Sequence, residues 1–135
     1  MSRSLFLLLA SIYSMLLSVS MVFTPEASLT NYGATTVDLT HISIMQFLGL
    51  CNGAFGMLSF LSRKAPNSYS LRTILLSSAT LLVAGVLLGV YHVFVLQPPM
   101  SSFFIGDSIF RLLLGLGFAY FYSRESQQAK TLSMA

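Results

Sequence analysis

Four long apolar blocks constrain this chain more than any other feature of its sequence. They cover residues 4–23, 42–61, 73–96 and 102–122. Each block reaches the ~20 residues that a helix needs to cross a ~30 Å hydrocarbon core, and a lone apolar strand would leave its backbone unsatisfied in lipid. The charged fraction is 8%, against roughly 25% in soluble domains. The sequence therefore predicts one all-α membrane domain over residues 1–135.

The segments outside the blocks also carry local signals. In the loop 24–41, Thr24-Pro25-Glu26 is a typical helix start and Gly33 a typical helix end, so a short interfacial helix is predicted there. Pro98 and Pro99 separate the third and fourth spans. The tail 123–135 is polar and is predicted to fray.

The first block has an alternative interpretation as a cleaved signal peptide. Arg3 precedes it, and Ser18-Val19-Ser20 could imitate a cleavage site. However, the apolar run is longer than the ~7–15 residues usual for a signal peptide, which favours a retained first span.

The basic residues predict how the spans are oriented. Six of them fall on one side of the predicted membrane: Arg3, Arg63, Lys64, Arg72, Arg124 and Lys130. By the positive-inside rule this predicts an up-down-up-down four-helix bundle with both termini on the cytoplasmic or matrix-like side of a bacterial inner membrane or an organellar membrane. The net charge of +3 does not indicate a nucleic-acid partner, because no basic patch interleaved with aromatic residues occurs.

Small and polar residues recur on one face of each predicted helix at ~100° per residue. Membrane helices associate through such residues, and glycines four positions apart allow close approach. The glycines predicted to pack helices together are Gly49, Gly53, Gly56, Gly85, Gly89 and Gly115. The stripes are therefore predicted to face one another in the interior of the bundle.

An ionisable pair lies within the fourth span. Arg111 is about 13 Å deep at 1.5 Å per residue, where a charge costs at least ~2.5–3.5 kcal/mol and indicates function. Asp107 precedes it by one helical turn, the favourable order for an acid and a base. Similar depth in the membrane relates four further polar residues to this pair: His92, Gln46, Asn52 and Ser14. With Asp38 and His41 at its outer mouth, the set predicts a polar funnel that leads from the outer face to the midplane.

Three hypotheses account for this funnel. It is an internal network that fixes helix register, or it binds the polar headgroup of an amphiphile such as a lipid, quinone or pigment, with Arg111 as counter-ion and His92 as donor. The third hypothesis is catalysis or proton relay through His92, because histidine is the residue type most often used to transfer protons near neutral pH. No catalytic residue is assigned. A quinone or a His92-ligated tetrapyrrole is a possible cofactor that no motif supports, and the histidines and acids have no diagnostic metal-binding spacing.

Three features give the chain a resemblance to a known group of proteins. They are the outer loop 24–41, the glycine-rich segment from Leu48 to Gly56, and the basic turn Ser62-Arg63-Lys64. With its four spans, the chain resembles the small four-helix membrane proteins of the DoxX-like kind, including uncharacterised families with the same plan. The resemblance implies a membrane bundle, and it implies neither a reaction nor any functional residue.

The leading functional prediction is a non-catalytic accessory or scaffold subunit of a larger membrane complex. Eleven phenylalanines and seven methionines supply bulky, adaptable surface for contacts with lipids, partner subunits or further copies of the chain. The competing prediction is an amphiphile-binding bundle, which could act as a membrane enzyme or proton relay through the outer funnel.

Overall fold

The chain is helical throughout almost all of the computed structural model, which describes residues 2–96 and 101–134. The helices are α1 (Arg3–Phe23), α2 (Pro25–Asn31), α3 (Leu39–Ser62), α4 (Tyr69–Tyr91) and α5 (Ser102–Met134), and a π-helical turn, His92–Leu96, follows α4. None of the described residues forms a strand, which confirms the all-α prediction. Four helices, α1, α3, α4 and α5, are long and apolar enough to cross a membrane. Pro98 and Pro99 lie outside the described residues.

Polar caps begin three of the long helices. The hydroxyl of Ser2 accepts from the backbone N–H of Leu5 at the start of α1. The carboxylate of Asp38 and the hydroxyl of Ser68 act in the same way at α3 and α4. Consequently α3 and α4 begin at Leu39 and Tyr69, before the apolar blocks that predicted them at 42 and 73.

The tail predicted to fray after Tyr122 is instead the last part of α5, which continues to Met134. Its buried face runs through Leu114, Phe118 and Phe121 to Glu125, at the spacing of neighbours on one face of a helix. Although the composition of this segment is polar, one face of its helix is buried.

The short helix predicted in the outer loop is present as α2. Thr24 does not cap it with its side chain, because its hydroxyl donates to the carbonyl of Ser20 at 2.8 Å. The predicted end at Gly33 is confirmed: its φ is 98°, and its N–H donates to the carbonyl of Thr30 at 3.0 Å. This left-handed residue closes a Schellman-type turn that glycine adopts without strain.

The chain divides into two compact units. The first unit contains α1, α2, α3 and the start of α5 up to Gly106. The second unit contains α4, the π-helical turn and α5 from Asp107 onward.

In the first unit, α1 and α3 approach so closely that only glycine fits between them. A Cβ added at Gly49 would lie 2.9 Å from the Cβ of Met21, and one at Gly56 would lie 3.1 Å from the carbonyl oxygen of Ser11. Gly53 is similarly close to a serine side chain on α1. The predicted packing role of these three glycines therefore agrees with the α1–α3 contact.

In the second unit, one predicted packing glycine contacts a neighbour and another does not. A Cβ at Gly115 on α5 would lie 3.0 Å from a methyl carbon of Val83 and 3.3 Å from the Cβ of Leu82 on α4. A Cβ at Gly85 would meet nothing within 4 Å in the described part of the chain. The internal packing role predicted for Gly85 is therefore not supported, and that of Gly89 stays a prediction.

Candidate functional site

The predicted ion pair of the fourth span is closed within α5. The Nε of Arg111 lies 2.7 Å from the Oδ2 of Asp107, one helical turn away. The side chain of Asp107 is 7% exposed and that of Arg111 is 28% exposed. A charge-assisted bond this short offsets part of the cost of burying the carboxylate of Asp107.

The two amide side chains predicted to line the funnel, those of Gln46 and Asn52, form hydrogen bonds within the first unit. Gln46 donates to the carbonyl of Val22 on α1 at 3.1 Å. Asn52 donates to the carbonyl of Leu48 in its own helix at 3.1 Å and lies 3.5 Å from the sulfur of Met21. These contacts hold α1 and α3 in register where their backbones approach.

Ser14 and His92 occupy different environments. Ser14 is buried on α1 beside the equally buried Ser11. His92 is half-buried at the start of the π-helical turn, and its backbone N–H donates to the carbonyls of Leu88 and Gly89. Its imidazole lies 6.0 Å from the ring of Tyr91 and makes no hydrogen bond to a described residue. The predicted convergence of His92 with the ion pair stays a prediction.

The funnel as a whole draws its residues from both units. Ser14, Gln46 and Asn52 belong to the first, whereas His92 and the Asp107–Arg111 pair belong to the second. Each group is placed within its own unit, and their assembly into one funnel stays a prediction.

The two residues predicted at the outer mouth form an exposed pair at the start of α3. The Oδ1 of Asp38 accepts from the backbone N–H of His41 at 2.9 Å, and the Nδ1 of His41 lies 2.9 Å from the same oxygen. The pKa of Asp38 lies below its ordinary value, chiefly because this backbone N–H stabilises the carboxylate. Because both side chains are exposed, the arrangement is that of a helix cap.

A buried polar cluster between the segment that precedes α4 and the later part of α5 was not predicted. Glu125 is 3% exposed, and its backbone carbonyl accepts from the side-chain amide of Asn67 at 2.8 Å. The amide oxygen of Asn67 in turn accepts from Arg72 at 2.9 Å. The signal in the sequence is spacing, since Glu125 follows Phe118 and Phe121 by seven and four positions and so extends their helical face.

Together these contacts indicate what the polar groups can do. They cap helices, hold helix pairs in register and pair the two opposite charges of Asp107 and Arg111 within α5. Among residues 2–96 and 101–134, no group of three His, Cys, Asp or Glu side chains is placed to hold a metal ion.

Comparison of the chain with protein-family models, with curated proteins and with solved structures finds no match. The resemblance to DoxX-like proteins therefore rests on the four predicted spans, the outer loop, the glycine pattern and the basic turn alone.

Proposed function

We propose that the chain is a multi-pass membrane protein whose helices α1, α3, α4 and α5 cross the bilayer as an up-down-up-down bundle. The length and apolar composition of these helices support insertion. The basic residues next to Ser62 and Tyr69, with Arg3 and the basic end of α5, support a cytoplasmic or matrix-like location of both termini. The membrane is a bacterial inner membrane or an organellar one.

Cysteine labelling tests this topology. In a Cys51→Ala background, a membrane-impermeant maleimide applied to sealed vesicles of native orientation is expected to label Thr35→Cys at once and Ser70→Cys only after permeabilisation. Cys51 is exposed on α3 and both test positions are exposed, so the substitutions disturb little packing. Immediate labelling of Ser70→Cys, or protection of Thr35→Cys, would contradict the proposed orientation.

Within this membrane the chain acts as a non-catalytic accessory or scaffold subunit of a larger complex. The observation that supports this proposal is that two polar side chains of the long helices each have a bonding partner in their own unit. Gln46 bonds to α1, and Arg111 pairs with Asp107. Such bonds serve helix register, and the long helices keep large apolar faces that lipids and partner helices can cover.

The face of α4 around Gly85 is the best candidate for contact with a partner helix. On α3 the corresponding glycine pattern is filled by α1, whereas no described residue lies against Gly85. Leu81 and Leu88 flank it and are more than half exposed. Small residues bordered by leucines allow a second membrane helix to pack closely.

Native mass spectrometry of the protein, gently extracted from its own membrane, tests the accessory role. We expect other membrane subunits, or further copies of the chain, at a fixed ratio. Gly85→Leu is expected to abolish that association, because a bulky side chain blocks the close approach. The matched control is Thr80→Leu, which places a leucine at an exposed position of α4 about 140° around the helix from Gly85.

Two outcomes would contradict the proposal. One is a chain that is isolated alone and carries a stoichiometric amphiphile, which would favour the amphiphile-binding function. The other is an association with partner subunits that persists in both leucine variants, which would show that the α4 face around Gly85 is not part of the interface.

A further inference from the structure

Three basic residues of the second unit, Lys64, Arg72 and Arg124, have no acidic partner among the described residues. The guanidinium of Arg72 donates to the neutral amide oxygen of Asn67 at 2.9 Å. That of Arg124 lies 5.6 Å from the centroid of the Phe121 ring, a contact that uses none of its N–H donors. The positive charge of these residues is therefore not neutralised by the described part of the chain.

The two acids of the second unit do not supply the missing negative charge. Asp107 pairs with Arg111 at 2.7 Å, and Glu125 is only 3% exposed. No aspartate or glutamate occurs between residues 39 and 106. An anion that neutralises the basic residues at the surface must therefore come from outside this unit.

The bonds of Asn67 bring the two arginines to the same end of the unit. Its amide donates to the backbone carbonyl of Glu125, the neighbour of Arg124 in the chain, while its oxygen accepts from Arg72. Both arginines also adjoin apolar blocks, since Arg72 directly precedes residues 73–96 and Arg124 follows residues 102–122 by two positions. In a bilayer, such positions lie at the level of the lipid headgroups.

Helix stability does not explain the position of Arg72. It lies in the first turn of α4, where the helix dipole favours an acid and disfavours a cation. A guanidinium has several N–H donors, and the bond from Arg72 to Asn67 leaves others available. Phosphate is an acceptor that arginine binds through two parallel bonds.

We propose that Arg72 and Arg124, with Lys64 beside them, bind the phosphate of an anionic phospholipid headgroup. The inference rests on the proposed insertion of α4 and α5 in a membrane. Tyr69, which is 78% exposed on the same turn of α4 as Arg72, suits this level of the bilayer, where amphipathic rings contact headgroups. The site is separate from Arg111, which precedes Arg124 by thirteen positions, about 20 Å along a helix.

Native mass spectrometry of the purified chain in neutral detergent tests the site by titration with phosphatidylglycerol or with zwitterionic phosphatidylcholine of the same acyl chains. We expect the chain to bind phosphatidylglycerol more tightly. Arg72→Gln/Arg124→Gln is expected to weaken that binding about 25-fold, because each basic residue contributes about 1 kcal/mol next to an anionic headgroup. Arg124→Gln alone breaks no hydrogen bond between described residues and is expected to weaken binding about five-fold.

The matched control is Arg63→Gln/Lys130→Gln, which also removes two positive charges but leaves Arg72 and Arg124 in place. It is expected to change the affinity for phosphatidylglycerol less than about three-fold. The proposal is overturned if the chain binds both lipids equally, or if the control weakens binding as much as Arg72→Gln/Arg124→Gln. It is also overturned if the latter variant keeps the lipid and loses a partner subunit, since the basic residues would then bind an acidic protein.

Failure of this site is distinguishable from failure of the proposed function. If cysteine labelling supports the spans but phosphatidylglycerol is not preferred, the lipid site fails and the topology stands. If labelling contradicts the spans, the topology itself fails. A lipid held by Arg72 and Arg124 is expected to remain bound in Asp107→Leu/Arg111→Leu, so its presence does not count as amphiphile binding at the ion pair.

Discussion

Gly49→Leu is expected to lower the free energy of unfolding by about 3 kcal/mol or more and to separate α1 from α3. Even a Cβ at this position would lie 2.8 Å from a methyl carbon of Val22 and 2.9 Å from the Cβ of Met21. Overpacking a filled contact typically costs about 1–3 kcal/mol, and a whole leucine cannot be placed without moving the helices apart. Separation would also break the bond from Gln46 to the carbonyl of Val22.

Denaturation by SDS, followed by far-ultraviolet circular dichroism in mixed micelles, measures this loss. Gly85→Leu is the control: it adds the same side chain to a helical glycine, but into open space, so we expect no loss of stability and at most a gain of about 1 kcal/mol from helix propensity. An equal loss in both variants would mean that the loss does not arise from the α1–α3 contact. An unchanged Gly49→Leu would mean that the α1–α3 contact contributes little to stability.

The glycines show both the reach and the limit of prediction from this sequence. Four-residue spacing identified Gly49 and Gly85 alike as packing positions, and only the first contacts a neighbouring helix among the described residues. Spacing reports that a face permits close approach. Which helix covers the face depends on tertiary arrangement, which one helix's sequence does not contain.

The helix boundaries also show what the sequence predicts and what it does not. Block length and composition predicted four long helices, because the apolar thickness of a membrane requires them. Asp38 and Ser68 lengthened two of them through side-chain caps. At the other end of the chain, Glu125 was assigned to a frayed tail, since its polarity outweighed the helical phase that it shares with Phe121.

The sequence located the polar side chains more reliably than it located their bonding partners. Gln46 and Asn52 were correctly placed on the second span, but depth alone suggested that they reach toward Arg111. In the structure their amides bond to α1 or α3, because a nearby backbone carbonyl or sulfur satisfies an amide. Only the pair of Asp107 and Arg111 was predictable in full, since both partners lie one turn apart on one helix.

That pair also separates the proposed accessory role from amphiphile binding. If the pair serves only the internal structure, both residues are needed, because each neutralises the charge of the other. If the pair forms a binding site, Arg111 contacts the ligand and Asp107 supports Arg111. Removing one residue therefore cannot distinguish them, because either hypothesis predicts damage from a lone buried carboxylate.

Arg111→Leu is expected to cost about 3 kcal/mol of stability, because it leaves the nearly buried carboxylate of Asp107 without its charge partner. The double variant Asp107→Leu/Arg111→Leu is expected to return to within about 1 kcal/mol of the unsubstituted protein, since two leucines suit an apolar span better than one uncompensated charge. A double-mutant cycle measured by SDS denaturation gives the coupling between the two side chains. A neutral Arg111→Leu would show that the pair contributes little.

The stable double variant then becomes the probe of function, with native mass spectrometry as its readout. If Asp107 and Arg111 serve register alone, the variant keeps its partner subunits and its full complement of bound lipid. If it folds as well as the unsubstituted protein but loses a stoichiometric anionic amphiphile, the accessory role fails and the pair belongs to a binding site. The control is Leu113→Ala, a change at an exposed position of the same helix, which should leave both partners and ligands unchanged.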